Sequence, residues 1–321
     1  MENDFRIVFM GSPDFAVDSL DILVKHGYNI AGVVTVPDKP AGRGQMIRQS
    51  PVKEYALKHG LKILQPFDLR DLGFINELSS LNADLQFVVA FRILPKIIWD
   101  MPPAGTINLH ASLLPQYRGA APINWAIING ELKTGVTTFF LDEKVDTGNI
   151  IFSETLEIGL DETAGELHDR LKKTGSELVL KTVEAIQNSN FVSSNQKTLF
   201  EHQSSLKKAP KIFKDDCRLD WTKSAVEIHN KIRGLSPYPT AYTELISPDD
   251  VKYYIRIYKS SLETTEHNFS AGQIITEGGA FMKIAVKDGF IFLEEVQISG
   301  KKKMNVKDFL LGFNLTGNWK V

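Results

Sequence analysis

Phe5–Ala16, FRIVFMGSPDFA, is the stretch whose reading decides the fold. Its first half is a short apolar run ended by Gly11. Its second half opens a helix near Pro13, with Phe15, Leu20, Leu23 and Val24 on the inner face. A buried strand that passes through a tight turn into an amphipathic helix is the opening unit of a parallel sheet covered by helices. The pattern then repeats along the chain. Ile30–Val36 reads as a second strand, Val52–His59 as a helix and Leu85–Ala90 as a strand; a helix follows Pro95, and Thr106–Leu109 is a strand again. The last long helix opens on Thr163 and Glu166 at capping-box spacing and runs through Ala185, with Leu167, Leu171, Leu178, Val179 and Val183 on one face. This alternation predicts an α/β fold with a doubly wound, mostly parallel sheet. The first turn has one glycine where a dinucleotide fingerprint has three, and Pro13 stands where the backbone would approach a pyrophosphate, which excludes a nicotinamide cofactor. In such a sheet the ligand lies beyond the carboxyl ends of the strands. Gly11, Ala90-Phe91, Asn108–His110 and the loop holding Asp146 converge there.

Thr106–Gly119, TINLHASLLPQYRG, carries the chemistry, together with Asp146 in the downstream VDTG. Asn108 and His110 are two apart on a strand, so both side chains leave the same face of the sheet, an amide donor beside a base. Leu113-Leu114-Pro115 then breaks the strand with an apolar pair and a residue that cannot donate to a ladder, which suits a loop lining a flat ligand.

Composition is that of a globular protein: 321 residues, 43% hydrophobic and 24% charged, long enough for two domains. No run approaches the length of a spanning helix, and the N-terminus enters a strand without a signal-like segment, so no membrane contact and a cytosolic address are expected. Cys217 is the only cysteine and the seven histidines do not cluster, so no metal is expected. Net charge is uneven. Residues 1–200 carry 19 basic against 24 acidic side chains, and residues 201–321 carry 18 against 15, including the run Lys301-Lys302-Lys303. A basic excess in the second half fits contact with a polyanion.

From Phe191 to Pro210 the period dissolves into a polar run that reads as a connection. Beyond it, a helix at Ser224–Arg233 is followed by five short strands, Thr240–Leu245, Tyr253–Ser260, Gly272–Ile275, Phe281–Val286 and Phe290–Ile298, which suggest a small β-barrel.

The NxHxSLLPxYRG pattern with its downstream DTG resembles the formyltransferases that use 10-formyltetrahydrofolate. Met10–Ala16, Pro37–Gly44, Ser50–Lys53, Gly119–Ile123, Glu131–Val136, Arg218–Trp221 and Ile232–Pro239 match the blocks of the branch whose acceptor is initiator methionyl-tRNA. The resemblance runs nearly end to end. It implies a Rossmann-like catalytic domain over 1–190, a linker over 191–210 and a smaller C-terminal OB-like, tRNA-binding β-barrel over 211–321, acting as a monomer. It implies catalytic roles for Asn108, His110 and Asp146, and tetrahydrofolate contacts from Ser112, Leu113, Leu114 and Pro115 with Ala90 and Phe91. It also implies that the Gly/Pro-rich loop Pro37–Gln49 meets tRNA through Lys39, Arg43 and Arg48. One stretch departs from the family pattern: many relatives carry a Tyr-Gly pair and one more residue before Ile-Leu-Pro, whereas this chain reads Ala90-Phe91-Arg92-Ile93-Leu94-Pro95. Three readings stand at this point. One is formylation of methionyl-tRNA; one is formylation of a small amine such as an amino sugar nucleotide; the third is a nucleic-acid-binding protein that keeps the fold without the chemistry.

Overall fold

A computed structural model describes residues 4–41, 46–200, 205–277, 279–313, 315, 317 and 319–321. Seven strands form the first sheet: β1 (Arg6–Gly11), β2 (Asn29–Val34), β3 (Ile63–Leu64), β4 (Leu85–Val89), β5 (Thr106–His110), β6 (Lys133–Phe140) and β7 (Ile150–Glu157). Their spatial order is β7-β6-β5-β4-β1-β2-β3. β1 pairs in parallel with both β2 and β4, and β4 in parallel with β5, while β6 runs antiparallel to β5. The chain therefore winds outward in one direction through β2 and β3, then returns past β1 to wind the other way. The switch falls between β1 and β4, where a doubly wound sheet opens its ligand crevice.

The central strands β1, β4 and β5 are buried on both faces, which is why they read as nearly unbroken apolar runs. Val8, Met10, Val34 and Val88 pack with Phe74 and Leu78 of the helix Leu72–Ser80 and with Ile98 of the helix Lys96–Trp99. Ile7 and Phe9 alternate with them and are fully buried, as are Leu20 and Leu23 of the helix Val17–Lys25. At about 1.5–3 kcal/mol per fully buried large apolar side chain, these layers outweigh anything the short helices contribute by propensity. The strand β3 and the helices Leu72–Ser80 and Pro122–Ile128 carry too little periodicity to stand out in the sequence.

The compact units interleave along the chain. Residues 1–119, 134–156 and 168–208 form the first; residues 120–133, 157–167 and 209–321 form the second. The helix Pro122–Ile128 belongs to the second because Asn124 Nδ2 donates to the Gly234 carbonyl at 2.7 Å and Ile128 packs on that unit's core. Residues 157–167 join it through Arg233, whose Nη1 donates to the carbonyls of Gly159 and Glu162 at 3.2 and 3.1 Å.

The second unit is built on an antiparallel sheet of β8 (Ala241–Ile246), β9 (Lys252–Thr264), β10 (Ile274–Glu277), β11 (Phe281–Val286), β12 (Gly289–Ile298) and β13 (Met304–Asn305). All five strands expected from the sequence are present, β9 longer than expected. One face covers Ile228, Ile232 and Leu235 of the helix Ala225–Leu235 with Ile255, Ile257, Ile284, Leu293 and Val296. That helix begins on a full capping box between Ser224 and Glu227, and the long helix Ala164–Gln187 likewise carries the Thr163–Glu166 pair.

Candidate active site

The carboxyl end of β5 delivers Asn108 and His110 to one face of the sheet, two residues apart as the strand period requires. His110 is 6% exposed. Its Nε2 lies 2.9 Å from the Tyr117 carbonyl oxygen, which can only accept, so Nε2 carries the hydrogen. The nitrogen left to exchange a proton is Nδ1, and Nδ1 faces Asp146 Oδ2 at 4.0 Å. That is an ion-pair distance and too long for a hydrogen bond. The ring is thus oriented by a backbone carbonyl, with the carboxylate standing beside its other nitrogen. Asp146 Oδ2 is itself held by the Gly119 amide, which donates to it at 3.0 Å.

The local sequence explains this placement. Asp146 sits at φ +55° and Tyr117 at φ +58°, a region that side chains other than glycine enter at a cost of about 1–2 kcal/mol. Ala90, at the end of β4, is likewise at φ +48°. Two residues past Asp146, Gly148 is obligatory: a Cβ there would stand 1.7 Å from the Phe140 carbonyl oxygen. Between them Thr147 Oγ1 donates to the Asp142 carboxylate at 2.7 Å, closing the turn on itself. The DTG motif is therefore a strained turn with three separate requirements.

The Ser112–Pro115 loop is clamped from β6. Thr137, opposite His110 in the ladder, donates its hydroxyl to the Ser112 carbonyl at 2.7 Å and accepts from the Leu114 amide at 3.2 Å. Ser112 is fully buried and its Oγ donates to the Gln116 carbonyl at 2.7 Å, so its hydroxyl is committed to the loop's own shape. Leu114 packs with Phe139 and Ile150, Pro115 is buried, and Leu113 is half-buried. On the neighbouring strand end Ala90 is exposed and Phe91 half-buried. Arg92, the departure from the family pattern, donates from Nη1 and Nη2 to the Phe67 and Pro66 carbonyls at 3.0 and 2.8 Å, tying that edge to the loop after β3. Burial pushes its guanidinium below the usual value, against the pull of Asp68.

The described residues of the loop Pro37–Gln49 form more structure than its composition suggests. Lys39–Ala41 and Met46–Arg48 pair as a separate antiparallel ribbon, which sets Lys39 directly across from Arg48, both exposed. Arg43 lies outside the described residues. At the ribbon's foot Asp38 accepts from Lys53 Nζ at 2.6 Å and from Gln65 Nε2 at 3.0 Å, and these two bonds hold its carboxyl below the usual range.

Three contributors to the site escape a reading of residues alone: the Tyr117 carbonyl, the Thr137 hydroxyl and Gln196. The last stands in the polar run after Phe191, where nothing periodic marks it. Ser194 pairs with Ile150 at the start of β7, and Gln196, 1% exposed, follows it into the site. Among the described residues, no group of three or more His, Cys, Asp or Glu side chains could hold a metal ion, and no helix is long and apolar enough to cross a membrane.

A formyl transferase family model matches residues 5–183, and a model of the formyl transferase C-terminal domain matches residues 211–314. The chain belongs to the formyl transferase family. Among its relatives, proteins named methionyl-tRNA formyltransferase match over full length. The one from Parabacteroides distasonis is 50% identical over 321 residues, covering 100% of this chain and 99% of the relative. The one from Flavobacterium johnsoniae is 52% identical over 316 residues, covering 98% of each. Among solved structures, the sugar 3N-formyl transferase WlaRD, crystallised with dTDP and 5-N-formyl-THF, superposes with a TM-score of 0.64 at 25% identity over 93% of this chain and 99% of that one.

Proposed function

We propose that this chain transfers the formyl group of 10-formyltetrahydrofolate to the free amino group of initiator methionyl-tRNA, giving N-formylmethionyl-tRNA for translation initiation, as a cytoplasmic monomer. The observation that carries the reading is end-to-end identity of about 50% to relatives bearing that enzyme's name, with Asn108, His110 and Asp146 all in place. The sugar-acceptor reading is weaker because the sugar enzyme matches at only 25%. A fold retained without chemistry does not account for a strained, fully bonded Asp146 turn beside His110.

The geometry supports the following roles. Attack of the amine nitrogen on the formyl carbon forms one C–N bond and places negative charge on the formyl oxygen. Asn108, whose carboxamide can donate, stabilises that oxyanion. Collapse breaks the bond to the folate nitrogen, and the proton shed by the attacking nitrogen passes to the leaving one. His110 carries it on Nδ1, and Asp146 stabilises the charged ring from 4.0 Å. Ser112–Pro115 and Ala90-Phe91 line the folate, the first as a clamped apolar shelf and the second as a strand end on which Ala90 is exposed. Lys39, Arg43 and Arg48 meet acceptor-end phosphates and base edges.

We assign catalysis to residues 1–190, the connection to 191–210 and tRNA binding to an OB-like domain at 211–321, with residues 120–133 and 157–167 packing with the second unit and 191–208 with the first. In the latter, Lys252, Tyr254, Arg256 and Tyr258 alternate along β9, so cations and rings share one face of the sheet. Hydrogen bonds that Arg256 donates to Tyr254 and to Tyr258 raise its guanidinium above the usual value, against the cost of burial. A row of this kind suits RNA, which is bound by phosphate contacts and stacking. The deciding experiment supplies 10-formyltetrahydrofolate with charged initiator tRNA and looks for formylmethionine after hydrolysis. Transfer to an amino sugar nucleotide instead would overturn the acceptor assignment.

A further inference from the structure

Gln196 lies in the polar run after Phe191, packed within the first unit, and its carboxamide is committed entirely to the active site. Nε2 donates to the Asp146 carbonyl at 3.1 Å and to the Gly148 carbonyl at 2.8 Å, bracketing Thr147. Oε1 accepts from Arg118, through Nε at 3.2 Å and through Nη2. Arg118 follows Tyr117, whose carbonyl holds His110, and its charge is felt at Asp146 and Asp142. One side chain therefore touches both arms of the site, the 117–119 arm through Arg118 and the 146–148 arm through two carbonyls. A buried amide is costly unless every donor and acceptor is used, and a methionine would fill the same volume without that cost.

We infer that Gln196 is a positioning residue for the reaction: it fixes the strained Asp146 turn so that the carboxylate stands opposite His110 Nδ1. The inference rests on the reading of Asn108, His110 and Asp146 as the reacting site. Anchoring of the segment to β7 is already served by the pairing of Ser194 with Ile150, whose two amide-to-carbonyl bonds are 2.9 and 2.8 Å. What Gln196 adds is directed at the turn. Its action passes through Asp146, so removing it should reproduce the loss of Asp146 and move the same pH dependence.

The test uses the full-length enzyme with 10-formyltetrahydrofolate and methionyl-tRNA as substrates. Gln196→Met should lower kcat about 10- to 50-fold, the effect of removing two buried hydrogen bonds, while KM for each substrate stays within about threefold, as expected of a group that touches neither. Its kcat–pH profile should take the shape of that of Asp146→Asn. Added to Asp146→Asn, it should cost little more than Asp146→Asn alone, the signature of two residues acting as one unit. Gln196→Glu, which keeps the shape and the Arg118 acceptor but has no hydrogen to give the two carbonyls, should fall in the same class. It serves as the second variant if Gln196→Met melts early. Parent kinetics in both variants would overturn the inference, as would a kcat loss with an unmoved pH profile and full additivity. A parent enzyme that transfers no formyl group at all would instead overturn the functional reading.

Discussion

The turn around Asp146 and the ribbon carrying Lys39 and Arg48 make opposite use of polar residues. In the turn nearly every polar atom is bonded inside the protein: Asp146 to Gly119, Thr147 to Asp142, and two carbonyls to Gln196. In the ribbon the cationic ends of Lys39 and Arg48 stand in solvent, on strands separate from the main sheet, and its foot is tied down at Asp38. The difference follows from the tasks. Stabilising a transition state needs donors and charges fixed in position before the reaction, because reorganisation at that moment costs rate. Meeting a phosphate needs a charge within reach, and the polyanion itself orders the side chain on arrival.

If the contrast holds, substitutions in the two regions should damage different constants. The largest effect belongs to the bonded site: Asn108→Ala and His110→Ala should each lower kcat on the order of 10²-fold or more with the fold intact. Normal turnover in either purified variant would remove that residue from the chemistry. Asp146→Asn should come next, keeping the bond to Gly119 while losing the charge opposite His110 Nδ1, with a lower kcat and a changed pH profile. An unchanged profile would mean that the 4.0 Å pair does not operate.

In the ribbon, Lys39→Ala with Arg48→Ala, and likewise Arg43→Ala between them in the sequence, should weaken use of methionyl-tRNA about ten- to a hundredfold through KM, leaving folate binding nearly untouched; a charged hydrogen bond is worth about 1.5–3 kcal/mol. Removing one cation that meets a phosphate should flatten the log–log salt dependence by about one unit. Steady-state formylation across a salt series measures both. Equal slopes for parent and variants would take the ribbon out of tRNA recognition.

The smallest effect tests whether buried polar groups elsewhere behave as the turn does. His229, in the second unit, is 5% exposed, with Nδ1 near Ser260 Oγ and Nε2 3.3 Å from Asp161. Burial, then the neighbouring Arg233, pushes its pKa below the usual histidine value, and Asp161 and Glu294 only partly oppose this. A folded-state pKa below the unfolded one means that the unfolded chain binds more protons as pH falls, so stability declines below about pH 6.5 and levels off below the folded value. Hydrogen exchange in the helix Ala225–Leu235 should therefore speed up between pH 7 and pH 5 once corrected for intrinsic rates, and His229→Gln should flatten that trend. A trend of equal slope in the variant would assign it to other groups.

How much of this was legible beforehand differs by element. β1, β4, β5 and the capped long helix announce themselves because burial on two faces or on one stripe leaves a period in the sequence, and the Asn108–His110 spacing follows from the strand alone. The ribbon at Lys39–Ala41 reads only as a polar loop, since three-residue strands leave no period. Helix Pro122–Ile128 sits in a stretch that reads as part of the first domain, and only packing on the second unit reveals its allegiance.

By itself the sequence determined the alternation of strands and helices, the antiparallel tail and the residue types at the reacting centre, because those are written in local periodicity and in a motif within one strand and its turn. Only the tertiary structure decided which nitrogen of His110 faces the Tyr117 carbonyl, how far Asp146 stands from the other, and that Gln196 holds the turn. Those depend on a carbonyl 7 positions away and an amide 50 positions away. A backbone carbonyl is the same in every residue, and a lone amide in a polar run has no periodic neighbours. Such pairings leave no mark in the sequence until the chain brings their partners together.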